Sequence, residues 1–156
     1  MAHTAIRRFE RRNLKRITEI EQASFGQDAW PAEAFLEYWR ESSDLFLIAT
    51  QGRRIAGYSI TQTNWRGAEL ESIAVDPRYR KSGVAQALLH ATIAQLRGRP
   101  LRLMVSTSNT PALRFYHQYG FVRTRRVKSY YGASRDAWRM SLTPDRAFAD
   151  QSRPNQ

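Results

Sequence analysis

The stretch VDPRYRKSGVA, residues 75–85, decides how this chain folds. Before it runs AELESIAV, Ala68–Val75, whose alternation reads as a strand. After it, Val84, Leu88, Leu89, Ile93 and Leu96 recur on one side of a helix spanning about Ser82 to Arg97. The junction holds an aspartate, a proline, three cations and a single glycine. The first turn of a helix leaves backbone N–H groups unpaired, and the macrodipole adds positive potential there. A pyrophosphate fits such an end when side chains leave room. Gly83 allows close approach, Ala85 keeps the next turn thin, and Arg80 and Lys81 add charge. The spacing is that of neither a Walker loop nor a dinucleotide fingerprint. An ordinary basic strand–helix turn is the competing reading.

Working outward, residues 5–10 (AIRRFE) read as a first strand. Leu14, Ile17 and Ile20 follow at helical spacing after Asn13, and Pro31 opens a second helix in DAWPAEAFLEYW. LFLIAT and RIAGYSIT are strands around a turn at 51–53, and NWRG turns into AELESIAV. LRLMVS is another strand, TPALRFYHQY another helix, and Gly120 its stop. FVRTRRVKSYY and DAWRMSL close the fold as an antiparallel pair. The order β-α-α-β-β-β-α-β-α-β-β predicts an α+β domain over residues 1–144, with a largely antiparallel central sheet flanked by helices. Residues 145–156 read as a polar tail.

The 156 residues, 42% hydrophobic, suffice for one core. The first thirty residues show no signal-peptide pattern, and no apolar run spans a membrane, so a cytoplasmic location without membrane partners is expected. With no cysteine, disulfides, thiolate metal sites and a Cys nucleophile are excluded. His3, His90 and His117 are too scattered for metal ligation, so no metal is expected. Twenty-five Lys and Arg against 14 Asp and Glu give a net charge of +11, which favours phosphate-bearing or acidic partners or simple solvation. The basic cluster Arg7, Arg8, Arg11, Arg12, Lys15 and Arg16 reads as a solvated face, or as a guide toward anionic surfaces. Trp39, Trp65 and Trp138 read as core or rim packing.

Two motifs in the right order make ESIAV–VDPRYRKSGVA and SNTPALRFYHQYGF resemble the acetyl-CoA-binding core of the GNAT superfamily of N-acetyltransferases. The first is similar to the R/Q-x-x-G-x-G/A loop, with Ala85 in the small position. The second is similar to N-x-x-A-x-x-x-Y-x-x-x-G-F through Asn109, Ala112, Tyr116, Gly120 and Phe121. IEQASF, the AW at Trp30 and KSYY…RDAWRM further resemble the RimI-type ribosomal-protein N-terminal acetyltransferases.

The resemblance implies acetyl-CoA as the acetyl-donor cosubstrate. Main-chain groups from Ile73 through Ala74 to Val75 would hold the pantetheine arm and the acetyl carbonyl. Arg80, Lys81, Ser82, Gly83, Val84 and Ala85 would wrap the pyrophosphate. Asn109 would touch the pantetheine or simply cap a helix, and Tyr116 would protonate the departing thiolate. Trp30, Tyr130 and Tyr131 would frame the acceptor. RimI-type relatives carry a Glu base where this chain has Met104, so Glu69 and Glu71 stand as substitutes, both by alternation on the face of Ile73 and Val75. An α-amine titrates about 2.5 units below a lysine, worth about 3 kcal/mol near neutrality when a neutral nucleophile is needed. A site short of a base therefore favours a protein or peptide N-terminus, such as that of a ribosomal protein. A small-molecule amine is the alternative acceptor, and a non-catalytic acyl-CoA-binding or RNA-associated module the alternative outside enzymes. Nucleic acid is not required for the leading reading.

Overall fold

In the computed structural model, residues 3–143 are described, and the expected tail at 145–156 lies outside them. The strands are β1 (Thr4–Arg8), β2 (Phe46–Gln51), β3 (Arg54–Asn64), β4 (Gly67–Val75), β5 (Leu101–Ser106), β6 (Val122–Val127) and β7 (Ala137–Leu142). The helices are α1 (Leu14–Phe25), α2 (Ala32–Ser42), α3 (Val84–Leu96) and α4 (Thr110–Gln118). This is the expected element order. The strands form one sheet in the order β1-β2-β3-β4-β5-β7-β6, antiparallel in its recorded pairs except for the parallel pair β4–β5. Among the described residues no helix is long and apolar enough to cross a membrane.

The described residues divide into two compact units, the first built from residues 3–63 and 71–95. Strand alternation sorts its apolar side chains into two clusters. Phe46 and Ile48 of β2, Tyr58 and Ile60 of β3, and Ala74 of β4 meet Ile17, Ile20 and Phe35 from α1 and α2. Leu47 and Ala49 of β2, with Ile73 and Val75 of β4, meet Val84 and Leu88 of α3. Each fully buried Phe, Ile or Leu contributes about 1.5–3 kcal/mol, so both faces of the sheet are anchored.

One irregularity in this unit aims the functional loop. Ala49 pairs with Gly57 and Thr50 with Ile55, leaving Ala56 as the extra residue of a β-bulge. The freed Ala56 carbonyl accepts the Asp76 N–H at 2.8 Å, and the Ile55 carbonyl accepts from the Arg16 guanidinium at 3.1 Å. Gly57 is required beside the bulge. A Cβ there would meet the Ala74 carbonyl at 2.7 Å and Val84 Cγ1 at 3.0 Å.

The second unit comprises, among the described residues, 64–70 and 96–143. Ala68, Glu69 and Leu70 pair in parallel with Leu101, Arg102 and Leu103, and β7 lies between β5 and β6. Its core buries Leu101, Leu103, Val105, Leu113, Phe121, Met140 and Leu142. Gly120 ends α4 with φ +93°. Two expectations are corrected here. The closing strand stops at Val127, because Ser129 adopts φ +54° and residues 128–136 turn instead. Trp65 is not packed: it is 87% exposed at the β3–β4 turn, with Arg66 over its ring at 4.6 Å. Strand β6 ends the sheet with Arg123, Arg125 and Arg126 exposed, two of them over the Trp138 ring.

Candidate active site

In the first unit, Asp76 starts a short 3-10 turn, Pro77–Tyr79, and its side chain caps that turn through the Arg78 N–H at 2.8 Å. Asp76 is 5% exposed, yet it is paired with Arg78 at 3.0 Å and with Arg16 of α1. Those hydrogen bonds, Arg78 first, hold its carboxyl far below the ordinary carboxylate range. The aspartate thereby fixes where the loop leaves β4.

Beyond it, Lys81 and Gly83 both adopt left-handed backbone, at φ +63° and +81°. Turns of this kind let successive N–H groups converge on an anion. The conformation costs Lys81 about 1–2 kcal/mol, a cost glycine escapes. A Cβ on Gly83 would meet nothing within 4 Å, so the space above the loop is open. The Ser82 hydroxyl donates to the Tyr79 carbonyl and accepts from Gln51 at 3.3 Å, which stitches the loop to β2. The helix opens at Val84, later than expected from Ser82, because Gly83 lies outside helical φ. Val84 is buried, Ala85 half-buried, and Arg80 and Lys81 exposed. Ile73 and Val75 point to the α3 side and Ala74 to the α1–α2 side. By alternation Glu71 shares the α3 side with Ile73.

Trp30 stands on the other face of this unit, packed on the α1–α2 cluster. Its ring stacks on Tyr38 at 5.1 Å, and it lines a cavity of about 490 Å³ with Pro31, Glu37, Glu41 and Gln62. Its backbone N–H donates to the Glu21 carboxylate at 3.1 Å. Glu21 is 2% exposed and also accepts from the Tyr58 hydroxyl, which lies 3.1 Å from Ser72 Oγ on β4. Burial pushes the Glu21 carboxyl above its ordinary range despite these two hydrogen bonds. Burial, then the neighbouring Glu21 charge, pushes the Tyr58 phenol up as well. Sequence reasoning missed this trio. The available signal was Glu21 itself, four residues after Ile17 and directly after Ile20 on the buried stripe of α1.

In the second unit, Asn109 caps α4, accepting the Ala112 N–H at 3.2 Å. Tyr116 is 7% exposed, edge-on to Phe115 and Phe121, and its hydroxyl makes no hydrogen bond among the described residues. Burial raises its pKa, so the phenol keeps its proton at neutral pH and remains a donor. Tyr130 and Tyr131 meet edge to face at 4.8 Å and are 52% and 38% exposed. Burial, reinforced by Tyr130, pushes Tyr131 up to about 12. Glu69 lies 3.9 Å from Arg102 Nε, a nitrogen that is buried without a hydrogen-bond partner among the described residues. That cation draws on the carboxylate expected to act as a base.

Residues 11–121 match the acetyltransferase (GNAT) family. The N-alpha-acetyltransferase RimI of Mycobacterium tuberculosis is 32% identical over 136 residues, covering 83% of this chain and 86% of that protein. Ard1 from Thermoplasma volcanium superposes with a TM-score of 0.84 at 30% identity, covering 90% of this chain and 97% of that one. The ribosomal-protein-S18-alanine N-acetyltransferase from Escherichia coli does so with 0.81 at 30% identity, covering 90% and 94%. The chain belongs to the GNAT acetyltransferase family and is an N-acetyltransferase.

Proposed function

Taking GNAT membership as the premise, we propose that residues 1–144 form one domain that transfers acetyl from acetyl-CoA to the N-terminal α-amine of a protein or peptide. The observation that carries the cofactor half is the open, left-handed loop at Lys81–Gly83 leading into α3. Its N–H groups and the charges of Arg80 and Lys81 suit a pyrophosphate. Ile73, Ala74 and Val75 suit the pantetheine and the acetyl carbonyl, and Asn109, already a cap, takes a pantetheine contact as a second task. When bound, the cosubstrate supplies an activated acyl carbon. The acceptor nitrogen attacks that carbon directly, the C–S bond breaks, and Tyr116 gives its proton to the leaving thiolate. Trp30, Tyr130 and Tyr131 frame the acceptor. For removal of the amine's proton the family resemblance points to Glu69 or Glu71. The relatives named for N-alpha and S18-alanine acetylation support an N-terminal acceptor, a ribosomal protein among them.

The test is acetyl-CoA turnover against N-terminal peptides, lysine side-chain peptides and small amines, paired with calorimetry of Gly83→Glu. The variant places a carboxylate in the open space of the loop. A folded Gly83→Glu protein is expected to lose acetyl-CoA binding, and unchanged affinity would refute the loop's role.

A further inference from the structure

The base candidate of the first unit, Glu71, and its acceptor-framing residue, Trp30, lie on different faces. Glu71 shares the α3 side with Ile73 and Val75, while Trp30 belongs to the α1–α2 side. The β4 side chain between Glu71 and Ile73 is Ser72, half-buried and hydrogen-bonded to Tyr58 of the α1–α2 cluster. Behind Tyr58 stands Glu21, whose other recorded bond is to the Trp30 N–H. One carboxylate is thus joined both to the residue expected to frame the acceptor and to β4.

The partners of this carboxylate are unusual. From α1, the following loop, β3 and β4 it meets a backbone N–H, a phenol and, through the phenol, a serine hydroxyl. Among the described residues no Lys, Arg or His pairs with it, and Tyr58 is the one titratable side chain recorded against it. A buried carboxylate without a cation is costly, since desolvation is offset by neutral donors alone. Plain packing would be served better by an apolar side chain of the same volume.

Resting on the acetyltransferase reading, we propose that Ser72, Tyr58 and Glu21 form a relay that removes the proton of the acceptor amine. The step balances as a chain of three transfers. The amine proton passes to Ser72 Oγ, the Ser72 proton to the Tyr58 oxygen, and the Tyr58 proton to Glu21. Serine and tyrosine end neutral and the carboxylate ends as the acid. Ser72 is the catalytic residue of the set, and Tyr58 and Glu21 act through it. Glu21 must be ionised beforehand, and its raised range brings it nearer to the amine it serves.

Tyr58→Phe, Ser72→Ala and Glu21→Gln, in the full chain, break the relay at each link. They are assayed from pH 6 to 9 with saturating acetyl-CoA and the peptide that the wild type turns over fastest. Folding is checked by near-ultraviolet circular dichroism. Each variant is expected to lose about 10²-fold in kcat at pH 7, the lower end for a proton-transfer group. The loss is expected to shrink as pH rises and the amine deprotonates unaided, with KM for acetyl-CoA unchanged. Tyr58→Phe combined with Ser72→Ala is expected to lose no more than either alone, because one chain is already cut. If Glu21→Gln fails to fold, the other two variants and their combination carry the test. Losses equal at every pH, additive losses, or no loss overturn the relay while the acetyltransferase reading stands. A wild type that turns over no amine in the panel overturns that reading and the relay with it.

Discussion

Two carboxylates are buried in the first unit, and they are treated in opposite ways. Asp76 sits between two guanidiniums and a backbone N–H, and its pKa is driven down. Glu21 has a phenol and a backbone N–H, and its pKa is driven up. Both are tied to α1, Asp76 through Arg16 and Glu21 as a residue of that helix. Cations around Asp76 lock one protonation state and turn the residue into a fastener for the phosphate loop. Neutral donors around Glu21 leave two protonation states within reach, which a fastener does not need and a proton acceptor does.

The largest expected effect breaks the first half of this contrast. Asp76→Asn leaves Arg16, only about a quarter exposed, without its buried counter-charge. Breaking a buried pair costs about 3–5 kcal/mol. The exposure of Arg78 brings the expectation to about 2–3 kcal/mol. Urea unfolding at pH 7 measures it, and a change below about 0.5 kcal/mol would erase the fastener.

Next in size is a difference of sign with pH. Asp76 has a lowered folded pKa, so its contribution is present above the unfolded value near 3.9 and is lost as pH falls toward the folded one. Glu21 has a raised folded pKa, so the folded state binds the extra proton. Its contribution is best below the unfolded value near 4.3 and declines as pH rises through the folded one. Against wild type, the destabilisation by Asp76→Asn is therefore expected to shrink as pH falls below about 4, whereas Glu21→Gln is expected to gain on the wild type as pH rises above about 4. Parallel curves would mean that the two sites are alike.

The smallest expected effect concerns the carboxylates on the strand itself. Glu69→Gln and Glu71→Gln are each expected to change kcat at pH 7 by less than about tenfold, below the usual range for a general base. A loss of 10²-fold or more in either, shrinking with rising pH, would move the proton's route back to that residue.

Much of this molecule was legible beforehand because local rules agreed with one another. Alternation in AELESIAV, the helical spacing from Val84 to Leu96 and the glycines at 83 and 120 gave element order and loop position without tertiary information. Asn109 was readable as a cap because capping is a three-residue affair. What stayed hidden depends on residues far apart in sequence. Glu21 and Tyr58 are 37 apart, and Arg16 and Asp76 are 60 apart. The bulge at Ala56 leaves no composition mark, although it aims both the Asp76 N–H and the Arg16 contact. Trp65 departs from expectation because an indole usually finds cover, and among the described residues Arg66 alone lies over its ring.

Strand β6, the arginine-bearing end of the sheet, sets a condition on how concentrated this protein can be held. An incoming strand would dock about 4.8 Å away. Arg126 is paired with Asp136 at 2.9 Å. At 0.1 M salt the screening distance is about 10 Å, so a second copy's arginines would meet the repulsion of Arg123 and Arg125 before any backbone bond formed. At 1 M that distance contracts to about 3 Å and the repulsion no longer reaches across the gap. Among the described residues charge joins a register shift between Arg123 and Arg125 in guarding the edge, so the protein's colloidal behaviour belongs to the buffer as well as to the fold.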